Sequence, residues 1–415
     1  MRFERRFFQL FVMLCFTVLC CKKEVPYPDL EIVDPQNYYM ASFGDSLEVI
    51  VKTEDAERLR TGSILNGSTL VFTARRVRKI TDGEYAVLFV FSDRYMESNT
   101  YTIRFTAENE AHSKSAYSEL RYTGLKKEQE GLCVLTTNKL LYQTDGSAVD
   151  ITATNLKSLA FAGYYNTLFA CRQEGAELRG YKFPALQATF SKNYATTTFR
   201  NNVNGFISAT NDVYFYDEQG FFRKLDSLGN IKDQVSLKGN PIVADMHDDL
   251  LFTVVDLENT GVYEIQSLYT SNGSVQRSRF FPERPVKMVA VNRNLVYIVA
   301  NNADEGSLYS YKPQENTVTK LFDLEGQLMK DMAFYSGETV IFCTDKTIQT
   351  YNTANGNMPT VQHNFGANCL EVDQLTGYIY FANGSLVQRF LPGNTAQYVL
   401  GTSAEVLDLC LIYNK

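Results

Sequence analysis

The sequence predicts an all-β chain: an N-terminal Ig-like β-sandwich followed by a seven-bladed β-propeller whose C-terminal strand closes the first blade. Three observations predict it. Short alternating or aromatic-rich runs recur along the chain, separated by turn residues. From residue 131 onward they repeat with a period of roughly 40, the spacing of propeller blades. The chain then ends on a strand-like run, residues 406–412, that no local unit uses.

Residues 1–20 read as a signal peptide. Arg2, Arg5 and Arg6 precede an apolar run over 7–19, broken only by Gln9 and Thr17. That run is shorter than the ~20 residues needed to span a bilayer, and it suits a signal-peptide h-region. The junction Val18-Leu19-Cys20-Cys21, followed by Lys22-Lys23-Glu24, resembles the bacterial lipobox. The resemblance implies that Cys21 carries the lipid, with Cys20 as the small residue before it. An ordinary secretory signal and an uncleaved anchor are the alternatives. Each buried acyl CH2 contributes about 0.8 kcal/mol of membrane affinity, so several chains hold a protein on the membrane.

Residues 21–36, with Pro26, Pro28 and Pro35, read as a lipidated N-terminus and linker. Residues 37–125 hold strand-like runs at 47–51, 69–73, 85–91 and 101–106. Turns lie between them at Asn66-Gly67, Asp82-Gly83 and Ser98 to Thr100. Short antiparallel strands over about 100 residues suggest a sandwich of immunoglobulin type, although the Cys-Trp-Cys core of antibody domains is absent. The charged stretch 126–130 reads as a hinge.

The clearest repeat lies at 286–291, 295–300, 307–311 and 317–322: four strands, one blade. Units at 240–284, 327–367 and 368–403 follow the same pattern, and 156–194 and 197–239 follow it less regularly. Residues 131–155 hold only three strands. The orphan strand at 406–412 completes them as the innermost strand of the first blade, which hides an edge that would invite aggregation. Six complete units plus this composite give seven blades over 131–415. The closure sets Cys410 beside Cys133, and free thiols are the favoured state.

Charge narrows the function. The formal net charge is −7. Residues 1–20 carry Arg2, Arg5 and Arg6 against Glu4, so their removal leaves −9. Such a chain is a poor nucleic-acid ligand, which needs clustered Lys and Arg. The one basic run, Arg75, Arg76, Arg78 and Lys79, alternates along a strand and reads as a solvated face. The three histidines, His112, His247 and His363, lack any His-x-x-His or His-Glu-x-x-His spacing. No Cys-x-x-Cys, nucleophile elbow or phosphate-cradling glycine loop occurs, so no catalytic residue, metal ligand or cofactor is assigned.

The layout resembles the PKD-like surface lipoproteins of Bacteroidetes, in which an immunoglobulin-like module precedes a propeller. The matching residues are the Cys21-Lys22-Lys23-Glu24 junction, Gly44-Asp45-Ser46-Leu47 and Gly83-Glu84-Tyr85. Residues 372–381 are similar to the YWTD and surface-layer type of propeller repeat. The resemblance implies an outer-membrane, cell-surface protein that works beside a TonB-dependent importer and a companion lipoprotein in nutrient uptake. It also implies O-glycosylation triplets at Asp45-Ser46-Leu47 and Asp226-Ser227-Leu228.

One positional pattern points to a binding rim. An Asn or Asp follows the second strand of most units: Asn138, Asn211, Asp256, Asn302, Asp345 and Asn383. Turn chemistry also explains these residues. The connections between units, on the same rim, carry Asn155, Lys157, Tyr194, Asn240, Arg284, Gln327 and Asn368. The candidate ligand-binding residues are therefore Asn155, Lys157, Tyr194, Asn240, Arg284, Asn302, Gln327 and Asp345. The expected function is a non-catalytic accessory lipoprotein whose propeller binds a glycan or peptide nutrient or docks to an importer. The alternatives are a lipid-anchored propeller enzyme (a polysaccharide lyase or lactonase-type hydrolase) and a structural scaffold of an envelope complex.

Overall fold

A computed structural model describes residues 25–33, 38–144, 147–172, 174–195, 202–209, 212–353 and 358–415. Cys21 and the predicted signal peptide lie outside these. The chain divides into two compact units, 1–126 and 127–415.

The first unit packs two sheets. One holds β1 (Asp29–Ile32), β3 (Ser46–Glu54), β7 (Glu84–Val90) and β6 (Arg76–Thr81), in that order. The other runs β2 (Tyr39–Ser42), β9 (Ser113–Thr123), β8 (Asn99–Glu108), β4 (Arg58–Asn66) and β5 (Thr69–Thr73). All pairings are antiparallel except β2 with β9. Alternate residues of both sheets face one core. Val49, Val51, Val87 and Phe89 meet Ile64, Ile103, Phe105 and Leu120. The predicted linker over 21–36 is corrected in part: Asp29–Ile32 is a strand, with Leu30 and Ile32 buried in that core. Gly83 fits its turn because φ is +76° and a Cβ there would meet the Thr53 carbonyl at 2.6 Å.

The second unit is built of four-stranded antiparallel sheets, the blades of a β-propeller. The first runs β12 (Ala148–Thr152), β11 (Lys139–Gln143), β10 (Gln129–Thr136), β37 (Val406–Tyr413). β10 starts inside the predicted hinge. The second sheet holds β13 to β16 (Leu156–Ala162, Thr167–Arg172, Glu177–Lys182, Gln187–Asn193). The third holds β17 to β20 (Val203–Ala209, Asp212–Asp217, Phe221–Leu225, Ile231–Ser236). The fourth holds β21 to β24 (Asn240–His247, Leu250–Asp256, Tyr263–Tyr269, Val275–Phe281). The fifth holds β25 to β28 (Arg284–Asn292, Leu295–Asn302, Glu305–Lys312, Thr317–Leu324). The sixth holds β29 to β32 (Met329–Ser336, Thr339–Thr344, Ile348–Asn352, Thr360–His363). The seventh holds β33 to β36 (Cys369–Val372, Ile379–Asn383, Leu386–Phe390, Gln397–Gly401).

Each innermost strand touches the next: β37 meets β13, then β17, β21, β25, β29 and β33 follow, and β33 meets β37. The core is correspondingly split into layers between neighbouring sheets. Phe252, Ile298 and Tyr309 pack between the fourth and fifth, and Tyr297, Phe322 and Phe342 between the fifth and sixth. Second strands such as β26 are covered on both faces, so they read as continuous apolar runs. Outer strands such as β24 are almost fully exposed. Across the seam, Cys133 pairs in register with Cys410, and both are free thiols.

Candidate functional site

The predicted rim residues are mostly spent on holding turns. The Tyr194 hydroxyl donates to the Gly229 carbonyl, and its ring packs 5.0 Å from Phe215. Asn240 donates to Asn259 Oδ1 at 3.0 Å and accepts from Asn204 Nδ2 at 2.9 Å. Gln327 Oε1 accepts from the hydroxyls of Thr344 (2.9 Å) and Thr347 (2.7 Å). Asp345 Oδ1 accepts from the Leu328 N–H at 2.8 Å. Asn155 sits at φ 61°, the left-handed turn conformation that Asn tolerates. Arg284 and Asn302 are exposed at strand ends. Asn211 lies outside the described residues, and Asp217 is the residue that closes β18.

Of the eight candidates, only Lys157 lines the axial cavity. This cavity, about 680 Å³, is walled by the innermost strands of all the sheets. A β-bulge recurs near the start of these strands and re-aims the side chains that follow. Lys157, Asn204, Ile242, Val286 and Lys330 are the extra residues.

Charged side chains gather along the wall. Asp245, Lys287, Asp331, Glu371 and Asp408 all line the cavity. Three of the carboxylates share one arrangement. Asp245 accepts from the Met246 N–H on its own strand and from the Ala290 N–H on the next sheet, each at 2.8 Å. Asp331 accepts from Met332 N (2.9 Å) and Leu370 N (3.0 Å). Asp408 accepts from Leu409 N (2.9 Å) and Leu159 N (2.7 Å). Each carboxylate therefore stitches its innermost strand to the following one, and each bond to a charged acceptor contributes about 1.5–3 kcal/mol. Lys287 continues the series with Nζ 3.4 Å from Asp331 Oδ1. The Glu371 backbone pairs with Tyr380 in the ladder, and its carboxyl makes no hydrogen bond among the described residues.

Burial in the channel raises the ionisations of Asp245, Glu371 and Asp408. Asp245 is pushed up to about 6 by burial, against its two N–H donors. Asp408 is likewise pushed up to about 6 by burial. Burial and then the neighbouring Asp408 push Glu371 to about 8, so Glu371 keeps its proton at neutral pH. Asp331, with burial opposing, raises Lys287 and keeps it charged. The channel is nevertheless wet: 52% of the Lys287 side chain is accessible, so its charge is partly screened.

Chemically, this wall offers ammonium donors at Lys157, Lys287 and Lys330 and a neutral acid at Glu371. Nucleophilic chemistry has poor support here, since burial pushes the Cys410 thiol, which also lines the cavity, well above its usual range. Among the described residues no group of three or more His, Cys, Asp or Glu side chains is placed to hold a metal ion. His247 lies away from the channel, as the last residue of β21, beside Asp248. The channel charges were visible in the sequence as a recurring signal: a charged residue between apolar neighbours in the first strand of several units, as in Ala244-Asp245-Met246 and Leu407-Asp408-Leu409.

Solved structures with a similar fold share about a tenth of their residues with this chain. A quinoprotein alcohol dehydrogenase-like protein from Bacteroides thetaiotaomicron is 11% identical, with 94% of this chain and 97% of that one covered and a TM-score of 0.43. Hydrazine synthase from Kuenenia stuttgartiensis is 10% identical over 68% of this chain and 99% of that one, with a TM-score of 0.48. Apo AztD from Citrobacter koseri is 9% identical over 68% and 98%, also with a TM-score of 0.48. No protein-family model matches the chain, and no curated protein sequence does.

Proposed function

We propose that this chain is a lipid-tethered, non-catalytic recognition protein of the bacterial outer-membrane surface. Its immunoglobulin-type sandwich and seven-bladed propeller present the axial channel to a glycan or peptide nutrient. The sandwich assignment is supported by the strand order β1-β3-β7-β6 against β2-β9-β8-β4-β5, which follows the A-B-E-D and G-F-C arrangement of that fold with one added strand at each edge of the second sheet. The blade count is supported by the cycle of contacts among innermost strands.

The observation that carries the functional reading is the state of the channel wall. Asp245, Asp331 and Asp408 are occupied as ties between strands, which leaves a polar cavity able to bind but without an assembled acid, base and nucleophile. Lys157 and Lys330, at the leading ends of their strands, would receive a ligand carboxylate, such as a uronate or a peptide C-terminus.

Arrays of acidic glycans and of peptides test this with the mature protein. A charge-assisted hydrogen bond contributes about 1.5–3 kcal/mol. The pair Lys157→Glu and Lys330→Glu should therefore weaken the best ligand roughly tenfold or more. Turnover of any arrayed glycan would overturn the non-catalytic reading. The tether is checked separately. Full-length protein should incorporate a clickable palmitate and fractionate with outer membranes, and Cys21→Ser should do neither. Labelling of the Ser variant would move the lipid elsewhere.

A further inference from the structure

We propose a second binding site on the outer flank of the propeller: the groove between the fourth and fifth sheets is a subsite for a neutral pyranose. It is separate from the axial channel and goes beyond the reading given above. The groove encloses about 810 Å³ between β24 on one side and β27 with β28 on the other. Its walls include Arg279, Phe280 and Val318, and its floor is formed by Glu283, Tyr309 and Lys320.

Two features of the floor call for an external partner. The Glu283 side chain is only 8% accessible, yet its Oε2 has no hydrogen bond. Tyr309 is 2% accessible, and its hydroxyl has none either. Burial and then close approach to Glu283 push the Tyr309 ionisation up, although neither the Tyr309 hydroxyl nor Glu283 Oε2 completes a hydrogen bond. Lys320 is occupied: Nζ lies 2.8 Å from Glu283 Oε1 and 2.7 Å from Asp323 Oδ1. Its side chain is 37% accessible, so it can swing off the floor more easily than the buried groups beneath it. A buried polar group without a partner costs about 1–3 kcal/mol, and a charged one more. Folding tolerates two such groups side by side most readily where something from outside completes them.

The walls say what that partner is. Phe280 is 62% exposed, a bare aromatic face beside the polar floor. Charge is balanced, with Arg279 and Lys320 against Glu264 and Glu283, so neither an anion nor a cation is selected. A sugar ring matches both features: its C–H face packs on Phe280, its hydroxyls donate to Glu283 and Tyr309, and its oxygens accept from Arg279 and Lys320. A peptide would offer fewer donors to the floor for the same apolar contact.

The chain contains no Trp, so Phe280→Trp supplies a single fluorescent reporter at the groove. Its emission should shift saturably with at least one of glucose, galactose, mannose, N-acetylglucosamine or their disaccharides. Calorimetry should show that Phe280→Ala weakens that sugar at least tenfold in an otherwise wild-type chain. Tyr309→Phe removes an unpaired hydroxyl and should leave the unfolding temperature unchanged or raised while weakening the sugar several-fold. A purely structural Tyr309 would not separate these readouts. Absence of a saturable shift with every sugar overturns the subsite and leaves water as the occupant of the floor. Sugar binding that survives Phe280→Ala and Tyr309→Phe but is lost in Lys157→Glu also overturns it, while leaving the channel reading intact.

Discussion

Removal of residues 406–415 should abolish cooperative unfolding of the second unit while sparing the first. The reason is the position of β37. It is the innermost strand of a sheet whose other three strands come from residues 129–152, and it pairs with β10 from Gln129–Tyr413 to Thr136–Val406. Val406, Leu409, Leu411 and Ile412 are each at most 4% exposed. At about 1.5–3 kcal/mol for each buried aliphatic side chain, they contribute about 6–12 kcal/mol. That is comparable with the whole net stability of a domain. The truncation also removes the Asp408 tie to Leu159 and the Tyr413 hydroxyl bond to Asp373 Oδ1 at 2.9 Å. Two contacts that close the ring, to β13 and to β33, go with it. Differential scanning calorimetry of the mature chain and its 405-residue-ended form is the measurement. The transition of the second unit should disappear, and a synthetic peptide covering 406–415 should restore part of it. A truncated chain that keeps a sharp second transition would show that the sheets hold together without closure.

The same physics explains what could be read from sequence. Second strands are covered on both faces, so β26 and β30 stand out as apolar runs and set the period. The orphan at 406–412 followed from arithmetic on strands, without reference to any contact. In the first unit β4 escaped notice because Gly62, a poor strand former, breaks its pattern between the polar residues Thr61 and Ser63. The structure shows why glycine is there: a Cβ on Gly62 would come within 2.6 Å of Val87 and 2.8 Å of Phe89. The channel was harder to read. Lys287 and Asp408 lie in runs that the repeat had already defined, but which side chains face the axis depends on bulges at Val286 and Leu407, and a one-residue shift exchanges the two faces of a strand. The rim asparagines were ambiguous for a different reason. Residues suited to turns are also suited to ligands, and composition alone does not separate the two uses. The groove at Glu283 depends on orphaned atoms of the β24–β25 connection and of β27, a property no single stretch of sequence carries.

Replacing Arg223 by Ala should cost about 3–5 kcal/mol at neutral pH, the penalty for stranding one member of a buried ion pair. Arg223 is 2% exposed and Asp217 is fully buried. The guanidinium donates through Nη1 to Asp217 Oδ2 and stands 4.6 Å from the centre of the Phe221 ring. Asp217 also accepts from the N–H groups of Gln219 at 3.0 Å and Phe221 at 3.3 Å, so it pins the turn between β18 and β19. Without Arg223, those two donors and little else would face a buried carboxylate. The pH dependence separates this from a simple packing loss. Burial raises the Asp217 ionisation above its ordinary value even with the arginine present. The folded state thus holds the proton more tightly than the unfolded one, and this contribution to stability is lost as pH rises through the folded value. Removing Arg223 raises that value further. The defect of Arg223→Ala should therefore be largest at pH 7 and above and shrink toward pH 4, as Asp217 takes up its proton and becomes neutral. Urea unfolding at several pH values reads it directly. The double replacement Asp217→Leu with Arg223→Met should recover most of the loss, because two apolar groups leave no buried charge unpaired. A deficit that is equally large at every pH, or that persists in the double variant, would mean that Arg223 acts through its packing on Phe215 and Phe221 and that its charge is incidental.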